Sequence, residues 1–466
     1  MRAPALPVEG DTIAAISTPY GVGGIGIVRI SGPDSERIAL TLFRPKKPID
    51  RLRSHHLHYG HILHSKGGPP IDEVLLAWMR APHTYTREDM VEIQCHGGPL
   101  PVRGILEVVL SWGARLAEPG EFTRRAFLNG RIDLAQAEAI VDIVEAKNLT
   151  ALRFAQSQLC GVLSDEILRI QEETKSVLVE IEAWLDFPEE DIPGPQFEAM
   201  RDQLEGWIGS ITNLMKTYEE GHLHRDGVNL VIVGEPNVGK STLLNALLGK
   251  QRAIVSPLPG TTRDYLEEFV LLGGIPVRLV DTAGLRETHE EIEAQGVTAA
   301  RRKIGEADLL LYVVDACRLE AEGWKGIPAG GEEARTLVVL NKVDLVSQGS
   351  VEDTIRRIHP LRCAAISALY GQGMDCLRQM ILDQLVTEKM DLDCRAVVSN
   401  LRHQKALESC REALRAARGQ LGLEEPPGDL LASDLRRAVR AMGEILGQTT
   451  PEEILNRIFD SFCIGK

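Results

Sequence analysis

The stretch NLVIVGEPNVGKSTLLNALLG, residues 229–249, constrains this chain more than any other. An apolar, β-type run ends at Gly234, the pattern G-x-x-x-x-G-K-S fills 234–241, and helical periodicity follows. Strand, glycine-rich turn and helix in that order make a phosphate loop, and this unit belongs to a parallel sheet whose strands return through helices. The neighbouring runs agree. Apolar segments at 230–233, 277–280, 309–314, 337–340 and 363–366 alternate with helical stretches, the pattern of repeated βαβ units. The expected fold is a Ras-like α/β P-loop domain over 223–384.

The loop's chemistry follows from its residue types. Gly234 and Gly239 let the backbone N–H groups of Asn237, Val238, Lys240, Ser241 and Thr242 curl around phosphate oxygens, and the helix N-terminus adds its positive dipole. Lys240 reaches the β- and γ-phosphates, and Ser241 offers a hydroxyl to magnesium. DTAG (Asp281, Thr282, Ala283, Gly284) closes another apolar strand, setting a carboxylate near magnesium and a glycine amide near the γ-phosphate. Thr262, in GTTRD, is the second magnesium hydroxyl. NKVD supplies Asn341, Lys342 and Asp344, and Asp344 can accept two hydrogen bonds from guanine, whose exocyclic amine adenine lacks. Amides of Ser367 and Ala368 in SAL meet the guanine oxygen. Five motifs in order predict a site for GTP and magnesium. One part is missing: Leu285 stands where Ras-like proteins carry a water-orienting glutamine.

The flanks differ in texture. Residues 1–130 mix short β-like runs (12–16, 25–30, 73–79) with Gly and Pro punctuation, as in an α+β domain. Residues 131–222 and 385–466 are helical, so an all-helical domain is split by the inserted nucleotide domain. The 466 residues, 44% apolar, suffice for three cores at about 150 residues each. No apolar run approaches the roughly 18 residues of a membrane span, and MRAPALPVEG has no secretory h-region. A soluble, cytoplasmic protein is expected. At a net charge of −15, nucleic acid would have to be met by a local basic patch or a partner. The basic segment 401–418 reads as a solvated helix face, with contact to tRNA as the alternative. The eight cysteines show no zinc-ligand spacing, and seven read as core thiols. GVGGIG, 21–26, is not the dinucleotide fingerprint in order or context.

Several segments together resemble one family, the MnmE (TrmE) tRNA-modification GTPases, over the full length. They are DTIAAISTPYGVGGIGIVRISG (11–32), VEIQCHGG (91–98), EPGEFTRRAFLNGRIDLAQAEAI (118–140), DFPEEDI (186–192), the phosphate loop with Asn237, AIVSPLPGTTRD (253–264), DTAGLRE and the terminal CIGK. The resemblance implies a potassium ion held by Asn237 and by a loop with Ser256, Leu258 and Thr261, in place of an arginine finger. It implies that Glu293 positions the attacking water, and that two G domains meet as a homodimer forms. On the N-terminal domain it implies a one-carbon tetrahydrofolate site (5,10-methylene or 5-formyl form) at Arg29, Glu92, Arg131 and Lys466. Position 131 is usually lysine in the family, so charge is kept and geometry is not. The implied partner is an FAD-dependent MnmG (GidA)-type protein, with which it forms a heterotetramer. The implied reaction adds a (carboxymethyl)aminomethyl group at C5 of the wobble uridine, position 34, of certain tRNAs. The rival from another class is an Era-like regulatory switch in ribosome assembly. Such a switch would carry a compact basic RNA module instead of these flanks.

Cys463, four residues from the end, sits where a prenyl transferase reads its address, but Gly465 and Lys466 are atypical there. The resemblance places it at the folate pocket, attacking an intermediate or shaping the site. A helix begun at Pro451 would deliver it, docked by Ile454, Ile458 and Phe462.

Overall fold

The structure is a computed structural model that describes residues 10–49, 51–186, 195–249, 267–281, 305, 307–324, 326–327, 333–385, 396–423 and 426–465. Its chain divides into two compact units.

The first unit comprises 1–141, 159–195 and 419–466. It holds a seven-stranded sheet ordered β3-β4-β5-β6-β2-β1-β7, formed by β1 (Ile13–Ile16), β2 (Ile25–Ser31), β3 (Phe43–Pro45), β4 (His56–Leu63), β5 (Pro70–Met79), β6 (Met90–His96) and β7 (Arg115–Leu116). All pairings are antiparallel except β1 with β7. One face takes the period-2 apolar residues Val28, Ile30, Leu76, Val91 and Ile93 into a core with Ile38, Leu42, Ile105 and Val109 of helices Ser35–Leu42 and Pro99–Ser111. The expected β-like runs reach β1, β2 and β5 but not β4 and β6. In β4 the outward positions are His56, Leu57, His58 and Tyr59, so polarity does not alternate with burial. Helix Val162–Asp186 packs on helix Gly428–Leu446.

The second unit, 142–158 with 196–418, holds a six-stranded sheet ordered β13-β12-β11-β8-β10-β9. The strands are β8 (Val228–Gly234), β9 (Glu267–Leu272), β10 (Ile275–Asp281), β11 (Leu309–Asp315), β12 (Thr336–Asn341) and β13 (Cys363–Ala365). All five apolar runs become strands within a residue or two of their expected ends. They pair in parallel, and β9 adds an antiparallel edge. Their near-continuous burial fits a parallel sheet covered on both faces. Helices Leu149–Leu159, Phe197–Lys216, Tyr218–Asp226 and Leu401–Gln420 flank it in sequence.

The cysteine expectation needs correction. Cys95 and Cys410 are buried, but Cys160 and Cys376 are exposed, as is Cys463. Burial pushes the thiols of Cys95 and Cys363 up to about 11 and Cys410 to about 12, which keeps those three unreactive.

A charge network centred on the buried Arg125 and Glu121 ties the residues before β1 to helix Glu121–Leu128. Arg125 donates to Asp11, Glu121 and Glu88, and Arg115 to Asp11 and Glu121. Burial opposes ionisation of Asp11 and Glu121, yet the two guanidiniums hold both carboxyls below their ordinary values of 3.8 and 4.5. Depressed carboxyls contribute stability above their unfolded values, and that contribution is lost as pH falls from about 4.5 through their folded values. Arg125→Met leaves three carboxylates crowded and is expected to destabilise this unit by about 3–5 kcal/mol at neutral pH. The deficit should shrink below about pH 4 as the carboxyls protonate. Amide exchange of β1 and residues 121–128 against pH measures it; a deficit independent of pH would contradict the assignment.

Candidate functional site

The phosphate loop lies between the end of β8 and helix Lys240–Leu248. Gly239 has φ 95, and a Cβ there would stand 2.4 Å from Asn341 Nδ2, so only glycine lets the loop close on the NKVD segment. Lys240 reaches back across the loop, its Nζ donating to the carbonyls of Gly234 (3.1 Å) and Glu235 (2.8 Å). The ammonium therefore spans the concavity where phosphate oxygens would sit. Ser241, the second residue of the same helix, is exposed.

Asn341 is buried, only 3% exposed. Its Nδ2 donates to Val238 O at 2.8 Å and its Oδ1 accepts from Ala368 N at 3.0 Å. One buried amide thus braces the phosphate loop against the SAL segment. Lys342 donates to Asn237 O at 2.8 Å and to Asp315 Oδ2 at 2.7 Å. Asp344 stands exposed on the 3-10 turn Val343–Leu345, where a carboxylate can receive a base. Ser367 is 1% exposed, and its hydroxyl has no partner among the described residues. Three expected motifs, phosphate loop, NKVD and SAL, are therefore joined by direct hydrogen bonds. Donors cradle the phosphate side and a carboxylate waits on the base side, which fits a guanine nucleotide. Asp281 ends β10, the strand beside β8. Ser256, Leu258, Thr261, Thr262, Thr282, Ala283, Gly284, Leu285 and Glu293 lie outside the described residues.

In the first unit, Arg29 of β2 stands opposite Glu92 of β6, with Nη2–Oε1 at 2.8 Å. The C-terminal tail reaches this pair. Gly465 O accepts from Arg29 Nη1 at 3.2 Å and from Ser17 Oγ at 3.1 Å, and Cys463 O accepts from Gly120 N at 3.4 Å. The Arg29 guanidinium lies 5.4 Å from the Tyr85 ring and 5.6 Å from that of Phe122, and Arg131 lies 4.8 Å from Tyr85. Tyr85 is thereby shared by two cations, and its hydroxyl meets Thr123 Oγ1 at 2.8 Å. Arg29, Glu92, Arg131 and the exposed Cys463 tail are gathered on one side of one unit, so the expected folate residues do come together. Aromatic faces, guanidiniums and one carboxylate suit a flat heterocycle with an anionic tail. Lys466 lies outside the described residues.

The tail's docking stripe differs from expectation. Phe459 and Phe462 are buried with Leu455 and Ile458 packed beside them, while Ile454 is 41% exposed. Spacing i, i+3, i+4, i+7 faces the core, whereas Ile454 is turned off that stripe. Tyr85 and Asp315 belonged to no motif, and Ser17 and Phe122 lay inside quoted segments without a role of their own. For Asp315 a signal existed: like Asp281, it ends an apolar parallel strand.

Known proteins agree with this picture. A family model described as "GTP-binding protein TrmE N-terminus" matches residues 12–131, and one described as "MnmE helical domain" matches 134–463. The tRNA modification GTPase MnmE of Chloroflexus aurantiacus is 47% identical over 459 residues, covering 98% of this chain and 100% of that protein. Those of Heliobacterium modesticaldum and Geotalea uraniireducens are 45% and 44% identical over 472 and 464 residues, covering 98% of this chain and 100% and 99% of theirs. Matched over 98% of its length at such identity, and carrying the phosphate loop inside the matched segment 134–463, the chain belongs to the MnmE family.

Proposed function

We propose that this chain is a GTP hydrolase acting in tRNA modification. It is potassium-stimulated and works as a homodimer with an FAD-dependent MnmG (GidA)-type partner in a heterotetramer. The product is a (carboxymethyl)aminomethyl group at C5 of uridine 34. The observation that carries the nucleotide part is the hydrogen-bonded union of phosphate loop, NKVD and SAL around Asn341 and Lys342. The relatives' names support the tRNA part.

In this reading Asp344 selects guanine, Lys240 counters the β- and γ-phosphates, and Ser241 with Thr262 would hold magnesium, which neutralises phosphate charge. Leu285 cannot orient water, so Glu293 takes that part. Asn237, with Ser256, Leu258 and Thr261, would hold potassium, which supplies positive charge at the β–γ bridge. Arg29, Glu92, Arg131 and Lys466 would hold the tetrahydrofolate derivative, the source of the one-carbon unit, with the tail placing Cys463 beside it. We take 1–130 as the folate and dimer domain, 131–222 with 385–466 as the helical domain and 223–384 as the GTPase domain. Nearly bare apolar side chains at Tyr20 (89% exposed), Val22 (93%) and Leu100 (83%) support a second copy against the first unit. No helix among the described residues is long and apolar enough to cross a membrane, in keeping with a cytoplasmic site of action.

Hydrolysis should run at least about tenfold faster in potassium than in sodium chloride at equal ionic strength, the scale of one charge-stabilising contact. Asn237→Ala should erase most of the difference. Equal rates in the two salts would remove the potassium reading. Mass spectrometry of tRNA nucleosides from a deletion strain tests the rest: unaltered wobble uridines would overturn the tRNA role.

A further inference from the structure

Two non-glycine residues of the nucleotide site hold left-handed backbone, Asn237 at φ 65 and Lys342 at φ 64. Such conformations are disfavoured and persist only where the surroundings over-determine them. Here the two are linked directly, because Lys342 Nζ donates to the carbonyl of Asn237 at 2.8 Å. A lysine arm has four rotatable carbons, and one carbonyl does not fix it. The second anchor is Asp315, the last residue of β11, whose Oδ2 accepts from the same ammonium at 2.7 Å. Asp315 is 7% exposed, and its Oδ1 accepts from Cys317 N at 3.0 Å, capping helix Ala316–Glu322. Both oxygens are committed, and the carboxylate is itself locked by the strand and the cap. Burial opposes its ionisation, but Lys342 and the cap hold the carboxyl below its ordinary value, so it meets the ammonium charged.

We propose that Asp315 is a positioning residue for guanine-nucleotide binding: it fixes the Lys342 ammonium against the Asn237 carbonyl and so locks the base-reading segment 341–344 to the phosphate loop. The proposal rests on the GTP reading above. It goes beyond the five motifs because Asp315 belongs to none of them, touches no expected nucleotide atom and acts through Lys342. Without it the lysine is free to leave Asn237, and nucleotide binding must then order both segments itself. That cost appears as weaker affinity and faster release.

The test uses the full chain and the fluorescent N-methylanthraniloyl derivative of GDP, with magnesium present. An amide has one acceptor oxygen where a carboxylate has two, so Asp315→Asn can serve the cap or the ammonium and not both. Its Kd should rise about tenfold, the scale of one charge-assisted hydrogen bond, with a matching rise in dissociation rate. Lys342→Met should also weaken binding, and in that background Asp315→Asn should add less than about twofold, because the pair acts as a unit. A role confined to capping would lower the thermal midpoint and weaken binding equally in both backgrounds. Should Asp315→Asn fail to fold, Asp315→Ser keeps a cap acceptor and carries the same expectation. Binding by Asp315→Asn within twofold of wild type, or a loss undiminished beside Lys342→Met, overturns the proposal. Wild-type chain that fails to bind the derivative would bring down the GTP reading on which it stands.

Discussion

Asp344→Asn is expected to exchange the base preference of this chain from guanine to xanthine. The carboxylate stands exposed on a turn whose neighbour Asn341 is pinned to both the phosphate loop and Ala368, so its place is set before any base arrives. It can accept from guanine N1–H and from the exocyclic amine together. An amide accepts once, and its NH2 group then faces the amine donor to donor. Xanthine replaces that amine with an oxygen, which the amide NH2 can serve. Loss of one charged hydrogen bond and gain of an unpaired donor should weaken GTP by about a hundredfold, and the XTP-to-GTP preference should move by about a thousandfold. Competitive titration with GDP and XDP reads the ratio directly. Retention of the wild-type ratio would take the base-reading role away from Asp344. The hydrogen bonds of Asn341 should survive the change, so unfolding temperature should stay near wild type.

What the sequence disclosed and what it hid divide along one physical line. The five strands of the nucleotide sheet were legible because a parallel sheet covered on both faces needs continuous apolar runs, and three of them end in a motif residue: Gly234, Asp281, Asn341. The site was legible because phosphate and guanine demand particular donors at short sequence spacing. In the other unit, β4 carries exposed His56, Leu57 and Tyr59 without alternation, so its period is blurred. By contrast β6 alternates, with Val91, Ile93 and Cys95 buried, and owes its place to pairing with the sequence-distant β2. Tyr85 was hidden for a related reason. It lies in the turn-rich segment HTYTRED, and its value comes from Arg29 and Arg131, brought beside it by folding. Ile454 misled because the i, i+4, i+8 pattern drifts off a 3.6-residue helix, whereas Leu455, Ile458, Phe459 and Phe462 keep the true stripe. Asp315 shows the limit most plainly: its strand was expected, its partner Lys342 was expected, and their meeting was not.

Gly465→Ala is expected to release the C-terminal tail and abolish its function while leaving the nucleotide site intact. Gly465 has φ 92, which an alanine adopts with strain, and a Cβ there would stand 2.2 Å from Ile16 O and 3.0 Å from Ser17 Cα. Those are backbone atoms of β1 and the residue after it, held by pairing with β2, so they cannot give way as a flexible side chain would. The tail must move instead, and it loses the bonds that Gly465 O accepts from Ser17 Oγ and Arg29 Nη1. Phe459 and Phe462 keep helix Glu452–Asp460 in its own apolar seat, so the displacement is confined to the last few residues, Cys463 among them. On the proposed reading those residues belong to the folate site. Wobble-uridine modification in cells carrying Gly465→Ala should therefore fall by at least about tenfold, as reacting groups displaced by an ångström or more lose their alignment. GTP hydrolysis by the purified variant should stay within about twofold of wild type, because no residue near 234–241 or 341–344 is altered. Cys463→Ser separates position from chemistry: it leaves the tail docked, so a loss of modification there as well assigns the thiol itself. Full modification in the Gly465→Ala strain would show that the docked tail is dispensable and would return Cys463 to the class of inert exposed thiols.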